Sequence, residues 1–392
     1  MNPFLLNTDI QEFINDNINS DTTSLVLKKT PFSSKDIKLI IEQIEAKKRC
    51  AKKLPTWFNT KNIYYPNKLN IEQTSSETTA NYKSNLIEGQ SIIDLTGGFG
   101  VDCFYFSKQF EFVTHCEISE SLSAIVKHNY KELQIKNIKT LPINGIDYLK
   151  ENSNNFEWIY IDPSRRHDSK GKVFLLNDCL PNVPLHIDLL FSRSKNILIK
   201  TSPLLDISIG INELKHVKTI HIIALNNEVK ELLWVLENKF EGKITIKTVN
   251  LKKEKNDSFK FYLEDEKIAD SKYNLPLSYL YEPNAAILKS GAFHSISTTL
   301  NIFKLHQHSH LYTSDRKIDF PGRSFKIDTV LPYNKKVLKK LNITKANITT
   351  RNFPETVQQI RKKFNIKDGG STYLFFTTDL NDQKTIIITN KA

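Results

Sequence analysis

Residues 91–102 read Ser-Ile-Ile-Asp-Leu-Thr-Gly-Gly-Phe-Gly-Val-Asp, the stretch that most limits what this chain can fold into. A short apolar run, Ile92-Ile93, reads as a buried strand ending in an acid, Asp94. Three glycines follow within four residues (Gly97, Gly98 and Gly100), then an amphipathic helix over residues 101–110. Glycines at such a turn let the backbone approach a ligand where a Cβ would collide. The helix behind presents unpaired N–H groups that favour an anion. The pattern predicts a strand–turn–helix unit of an α/β fold that binds a nucleotide-like ligand.

The dinucleotide fingerprint requires glycine at three positions, Gly-x-Gly-x-x-Gly. From Gly98 and Gly100 the third falls on Cys103, and from Gly97 the second falls on Phe99, so an NAD enzyme is disfavoured. Asp-x-x-Gly-Gly-x-Gly, with Thr96 inside it and Asp102 after it, resembles the first motif of the class I S-adenosylmethionine (SAM) methyltransferases. A glycine turn that only packs a helix on a strand is the plainer alternative.

Further apolar runs end in polar residues at matching places. Residues 112–116 end in Glu117, about 20 residues beyond the turn, where doubly wound nucleotide folds carry a ribose-binding acid. Residues 138–143 lead to Asp147, which the resemblance places on the adenine amino group, although an Asp beginning a helix also serves as an N-cap. Residues 158–161 end in Asp162-Pro163-Ser164-Arg165-Arg166, where class I enzymes meet the methyl acceptor. Nucleic-acid amino-methyltransferases carry Asp/Asn-Pro-Pro-aromatic there. Ser164 and Arg165 depart from that pattern, and the two arginines suit phosphate or base contacts instead. A plain surface pair is the alternative. No cysteine occupies this turn, which argues against a Cys-nucleophile route to C5 methylation.

Strand-like and helix-like segments alternate over residues 86–251, which predicts a mainly parallel sheet. Strands at 196–200, 219–225 and 244–249 bring the count to seven, with an amphipathic helix expected over 229–236. The expected fold class is α/β: a Rossmann-like, seven-stranded class I methyltransferase sheet with a helical N-terminal region and a small α+β C-terminal module. The expected divisions are 1–85, 86–251, 252–320 and 321–392. Apolar residues at helical spacing, such as Ile37, Ile40, Ile41 and Ile44, mark the first region. Its Ser/Thr-dense end, residues 73–80, reads as a lid over the cofactor or as an N-capped linker helix.

The net charge of +12 is unevenly spread: residues 321–392 hold 14 Lys and Arg against 5 Asp and Glu. A basic module beside a neutral centre suggests a polyanion, and RNA is the obvious candidate, with a merely solubilising surface as the alternative. Arg351, Arg361, Lys362 and Lys363 are its candidate contacts, the last three also fitting a helix C-terminus. In that module a helix is expected from Pro354-Glu355 to about Phe364, and a hairpin over 372–389. His306, His308 and His310 alternate without an acid or cysteine beside them, so an edge or loop is expected rather than a metal. Four scattered cysteines, no secretory signal and no apolar run of about 18 residues point to a cytoplasmic protein without a membrane span.

Beyond these motifs stand Lys53-Leu54-Pro55-Thr56-Trp57, Glu72-Gln73-Thr74-Ser75-Ser76-Glu77, Tyr281-Glu282-Pro283-Asn284-Ala285, Arg351-Asn352-Phe353-Pro354 and Lys367-Asp368-Gly369-Gly370. With residues 94–102 and 162–166 they resemble a bacterial group of class I SAM-dependent methyltransferases, common in Bacteroidetes. Its members carry a small ferredoxin-like piece and a C-terminal THUMP-like domain. The resemblance covers nearly the full length and implies a SAM enzyme with an appended RNA-binding-like module; together with the basic charge, RNA (tRNA or rRNA) is the expected partner, and no metal is expected. The resemblance puts the cofactor at Asp94, Thr96, Gly97, Gly98, Gly100, Asp102, Glu117 and Asp147. Asp162, Pro163, Ser164 and Arg165 then face the acceptor, with Arg165 and Arg166 on substrate. A base nitrogen, on a purine, is a guess at the acceptor atom, and oxygen stays open. A small-molecule methyltransferase, and an RNA-binding protein that has lost catalysis, remain as alternatives.

Overall fold

The computed structural model describes residues 1–27, 32–165, 174–334, 336, 341 and 343–392, which divide into two compact units. The first comprises residues 1–218 and 233–241, the second 219–232 and 242–392.

The first unit is built on parallel strands β1 (Gly89–Asp94), β2 (Phe110–Cys116), β3 (Ile138–Leu141), β4 (Phe156–Ile161) and β5 (Ser194–Thr201). Their order is β5-β4-β1-β2-β3, with Ile92 of β1 opposite Val113 of β2 and Trp158 of β4. Ile92, Ile93, Ile159, Tyr160, Ile161, Ile197, Leu198 and Ile199 are all buried, the unbroken apolar runs expected of strands covered on both faces. The chain moves outward from β1 to β3 and then returns to β4 on the other side of β1. This reversal opens the crevice in which open α/β sheets bind ligands.

Its N-terminal helices α1 (Thr8–Asp16) and α2 (Ser34–Lys53) bury Ile10, Ile14, Ile40 and Ile44 in one cluster. Ser33 caps α2 by accepting from the Asp36 amide. Helix α3 (Glu77–Ser84) runs into β1, capped by Ser76. No helix among the described residues is long and apolar enough to cross a membrane.

The helix expected over 229–236 is a strand. β6 (Val217–Leu225) and β7 (Glu228–Glu237) form a hairpin whose two turn residues, Asn226 and Asn227, both have positive φ, at 50° and 67°. That geometry suits asparagine and matches the twist of paired strands. Val229, Leu232, Leu233 and Leu236 do recur at helical spacing. However, Leu232, Leu233, Trp234 and Leu236 are all fully buried, which a one-faced helix does not allow. Trp234 Nε1 donates to Thr201 Oγ1 of β5 at 2.9 Å.

In the second unit, β8 (Thr245–Leu251) pairs parallel to β6, and β9 (Asp257–Tyr262) antiparallel to β8. A separate sheet contains β10 (Tyr279–Pro283), β11 (Phe303–Lys304), β12 (Tyr312–Ser314), β13 (Gly322–Pro332), β14 (Asn347–Arg351), β15 (Thr372–Thr378) and β16 (Lys384–Lys391). Its order is β11-β12-β10-β13-β16-β15-β14, antiparallel apart from β14 with β15. The expected hairpin is β15–β16. The helix expected from Pro354 starts at Val357 instead, because Thr356 and Gln359 form a reciprocal capping box. His306, His308 and His310 lie between β11 and β12. His306 contacts Asp382 at 3.0 Å, and the His310 ring stacks on Phe293. No group of three metal-capable side chains occurs among the described residues.

Candidate functional site

The glycine turn leaves β1 at Asp94, which is 1% exposed. Its Oδ1 accepts from the Thr96 amide at 2.8 Å and from Thr96 Oγ1 at 3.2 Å, and its Oδ2 from Cys103 Sγ at 3.3 Å. Burial pushes the carboxyl up to about 7, against the pull of the Thr96 amide. Asp94 therefore lies beneath the turn and shapes it from inside.

The three glycines do different work. A Cβ on Gly97 would fall 2.2 Å from His115 Nε2, and one on Gly100 2.2 Å from the Tyr130 hydroxyl. These two let the turn settle on β2 and on α5, the helix Glu120–Glu132. Tyr130 donates to the Gly100 carbonyl at 2.8 Å. Gly98 has φ +54°, and a Cβ there would meet only Thr96 O at 3.8 Å. Open space above Gly98 is where a ligand can lie against the backbone.

Glu117 closes onto that glycine. Its Oε2 accepts from the Gly98 amide at 3.0 Å and its Oε1 from the Ser119 amide at 2.7 Å. Each carboxylate oxygen keeps further acceptor capacity, so a pair of hydroxyls can be received without breaking either bond. Beneath the turn His115 is fully buried, and burial pushes its imidazole down to about 4. Its neutral ring supports the turn, and the motif gave no signal for it.

Asp102, in helix α4 (Val101–Phe106), is engaged from several sides. Lys83 Nζ approaches its Oδ1 at 3.1 Å, while Ser75 Oγ and the Tyr160 hydroxyl donate to its Oδ2 at 2.9 and 2.8 Å. Burial opposes ionisation of this carboxyl, but the charges of Lys83 and Lys200 outweigh it and hold the group below its usual range. Lys83 is itself fully buried and donates to Ser75 at 2.8 Å. Nearby, Glu77 accepts from Thr56 and from the Tyr105 hydroxyl, and Trp57 packs on Phe104 with ring centroids 4.8 Å apart. The segment at 73–80 is thus an N-capped helix start bonded to the helix behind the glycines.

Across the reversal, the Asp162 amide donates to Thr96 Oγ1 at 2.7 Å, linking the ends of β1 and β4. The Asp162 carboxylate is ion-paired with Lys200 near the end of β5. Lys200 stands one residue before the end of that strand. Pro163 follows, then Ser164 and Arg165 pair as a two-residue strand with Cys179–Leu180. The Arg165 guanidinium lies 5.5 Å from the Phe174 ring centroid. Arg166 lies outside the described residues.

Asp147 sits in the first turn of helix α6 (Gly145–Glu151), exposed and 3.0 Å from Lys150. The N-cap is Asn144, whose Oδ1 accepts from the Ile146 amide at 2.9 Å, so the capping role read for Asp147 belongs three residues earlier.

The remaining candidates belong to the second unit. Arg351 donates to Glu282 at 2.9 Å. In helix α7 (Val357–Phe364), Arg361 donates to the carbonyls of Ile366 and Ala346 and pairs with Asp368. Lys363 bonds Glu355 and the Tyr333 hydroxyl, both at 2.8 Å. Lys362 is exposed. Most of this basic cluster therefore ties its own module together.

Residues 279–321 match a ferredoxin-like domain family, and residues 322–391 a THUMP domain-like family. No curated protein matches the chain. Among solved structures, a "putative methyltransferase" from Porphyromonas gingivalis W83 is 31% identical over 98% of both chains, with a TM-score of 0.89. An rRNA methylase from Streptococcus thermophilus is 13% identical, covering 41% of this chain and 93% of its own, with a TM-score of 0.30. TrmK of M. capricolum, solved with S-adenosyl-homocysteine, is 14% identical over 45% of this chain and 71% of its own, with a TM-score of 0.32.

Proposed function

The chain belongs to the family of that Porphyromonas gingivalis protein, with a class I methyltransferase fold and ferredoxin-like and THUMP-like domains, and on this premise we propose that it methylates RNA using SAM. One observation carries the reading: the Glu117 carboxylate accepts from the amide of Gly98, which has open space above it, and Thr96 of the same turn is bonded to Asp162 at the end of β4. When bound, SAM supplies an electrophilic methyl on a positive sulfur. Gly98 would let the cofactor lie against the turn, and Glu117 would receive its ribose hydroxyls. Asp147, at the next strand end, suits the adenine amino group. Asp94 and Asp102 act from below, fixing the turn and the helix behind it.

Methyl transfer from that sulfur would require the chain to aim the acceptor's lone pair and to give the acceptor's proton a base or water to leave to. Such a step depends on alignment more than on a strong base. Asp162, ion-paired with Lys200, orients an acceptor N–H and takes its proton or passes it to water. Arg165 contacts the substrate's phosphate or base. A nitrogen of an RNA base fits this arrangement because a carboxylate recognises an exocyclic N–H directly.

The test is the modified-nucleoside profile of tRNA and rRNA from cells with and without the gene. One methylated nucleoside should vanish on deletion and return with the wild-type gene, but not with an Asp162→Asn copy. Unchanged profiles in both RNA pools would exclude these acceptors.

A further inference from the structure

Glu282, one residue before the end of β10, is almost fully buried, and the strand register sets it directly opposite Arg323 of β13. Arg323 Nε donates to Glu282 Oε2 at 2.7 Å and its Nη2 reaches the same oxygen. Arg351, at the end of the sheet's far edge strand, donates Nη2 to Oε1 at 2.9 Å. The sheet therefore curls enough to converge two guanidinium groups on one carboxylate, leaving one positive charge in excess. Both arginines line a cleft of about 370 Å³, together with Asn227, Thr349, Thr350 and Val357. Arg323 is 44% exposed by side chain, and its bonds to Glu282 and Thr349 use Nε and Nη2, while Nη1 carries two further N–H donors. Arg351 Nε is buried with no acceptor among the described residues. Val357 opens helix α7, whose amino end adds a partial positive charge.

Two guanidinium groups held in one place repel each other unless a carboxylate lies between them. Glu282 supplies that charge and fixes both planes. The result is a rigid set of N–H donors with the Thr349 hydroxyl beside it, the geometry in which arginine recognises tetrahedral oxyanions bidentately. We propose that this cleft binds a phosphate group, a backbone phosphate of the acceptor RNA, with Arg323 and Arg351 as donors and Glu282 as the residue positioning them. The RNA source rests on the function proposed above, but the phosphate chemistry does not. Contact of this kind positions a nucleic acid without reading its sequence.

The experiment uses the full chain in two arms. In the first, inorganic phosphate is titrated while the arginine Nε–Hε signals are followed by NMR. Saturable shifts of the Arg323 and Arg351 signals are expected, and their absence at tens of millimolar overturns the site whatever the protein methylates. In the second, the affinity for unfractionated tRNA is compared between wild type, R323Q/R351Q and a charge-matched K260Q/K267Q control on exposed positions. The arginine pair should lose about tenfold or more in affinity, with a salt dependence flatter by about one unit. The control should stay within about twofold, since neither lysine lines the cleft and exposed charges are screened. Arg323→Lys, a milder change at a half-exposed residue, keeps the charge but loses the planar fork and should fall between them. Equal losses in the control, or none in the arginine pair, overturn the RNA source. Phosphate shifts in a chain with no tRNA affinity uphold the cleft as a site for a small phosphorylated compound and refute the RNA acceptor instead. Heat of SAM binding is followed in every variant and should not change.

Discussion

The parallel sheet of the first unit and the antiparallel sheet of the second place their charged residues by different rules. In the first, Asp94, Glu117 and Asp162 each follow an apolar strand, so the strand ends gather acids that are distant in sequence around one turn. In the second, Glu282 and Arg323 meet as register partners within the sheet, and curvature delivers Arg351 to the same carboxylate. Strand ends build a concave place for chemistry. A register pair builds a fixed charged surface, suited to holding a partner still.

The largest effect should follow from Lys83→Met, which strands the Asp102 carboxylate in a buried place. Breaking a buried ion pair on one side costs about 3–5 kcal/mol, so urea unfolding should move far down in midpoint. A shift under about 1 kcal/mol would make the tie between the N-terminal region and the glycine turn dispensable. Next, Glu117→Ala removes two charge-assisted bonds to the ribose, about 100-fold or more in SAM affinity by calorimetry. It also releases the Gly98 amide, so Glu117→Gln, which keeps one acceptor, should lose less. Asp162→Asn should leave SAM binding within about twofold yet cut turnover about 10- to 100-fold, because it acts on the acceptor alone.

A pH series separates the two buried acids beneath the turn. Asp94 has its carboxyl raised to about 7 by burial, so its contribution to stability is fully present below its unfolded value and is lost as pH rises through about 7. Asp102 is shifted downward and behaves oppositely, its contribution fading only as pH falls through the folded value in the acid range. Asp94→Asn should therefore flatten the loss of stability between pH 5 and about 8, as followed by thermal unfolding across buffers. A variant as pH-sensitive as wild type would move the titration elsewhere. The smallest effect belongs to Lys362→Gln: one exposed lysine on α7 should change tRNA affinity by less than about threefold.

Much of the first unit was legible because strand ends announce themselves: an apolar run, then an acid or a glycine. That rule located Asp94, Gly98, Glu117 and Asp162 without any three-dimensional information. It could not find Lys83, Ser75 or His115, because a buried lysine or histidine looks in sequence like any other, and its partner is set by packing. It also misread residues 229–236, where a strand buried on both faces mimics helical spacing. Arg361 and Lys363 teach the same lesson in the second unit. Their basic character suggested a grip on RNA, whereas their hydrogen bonds close the end of α7 onto its own module.

Whether a cofactor seats on the Gly98 turn is decided by titration calorimetry of the intact chain with SAM and with S-adenosylhomocysteine. One saturable site per chain is expected for both ligands, strongly weakened in Glu117→Ala and preserved in R323Q/R351Q. Absence of heat with either ligand, or a site indifferent to Glu117, would contradict a cofactor seated on the Gly98 turn.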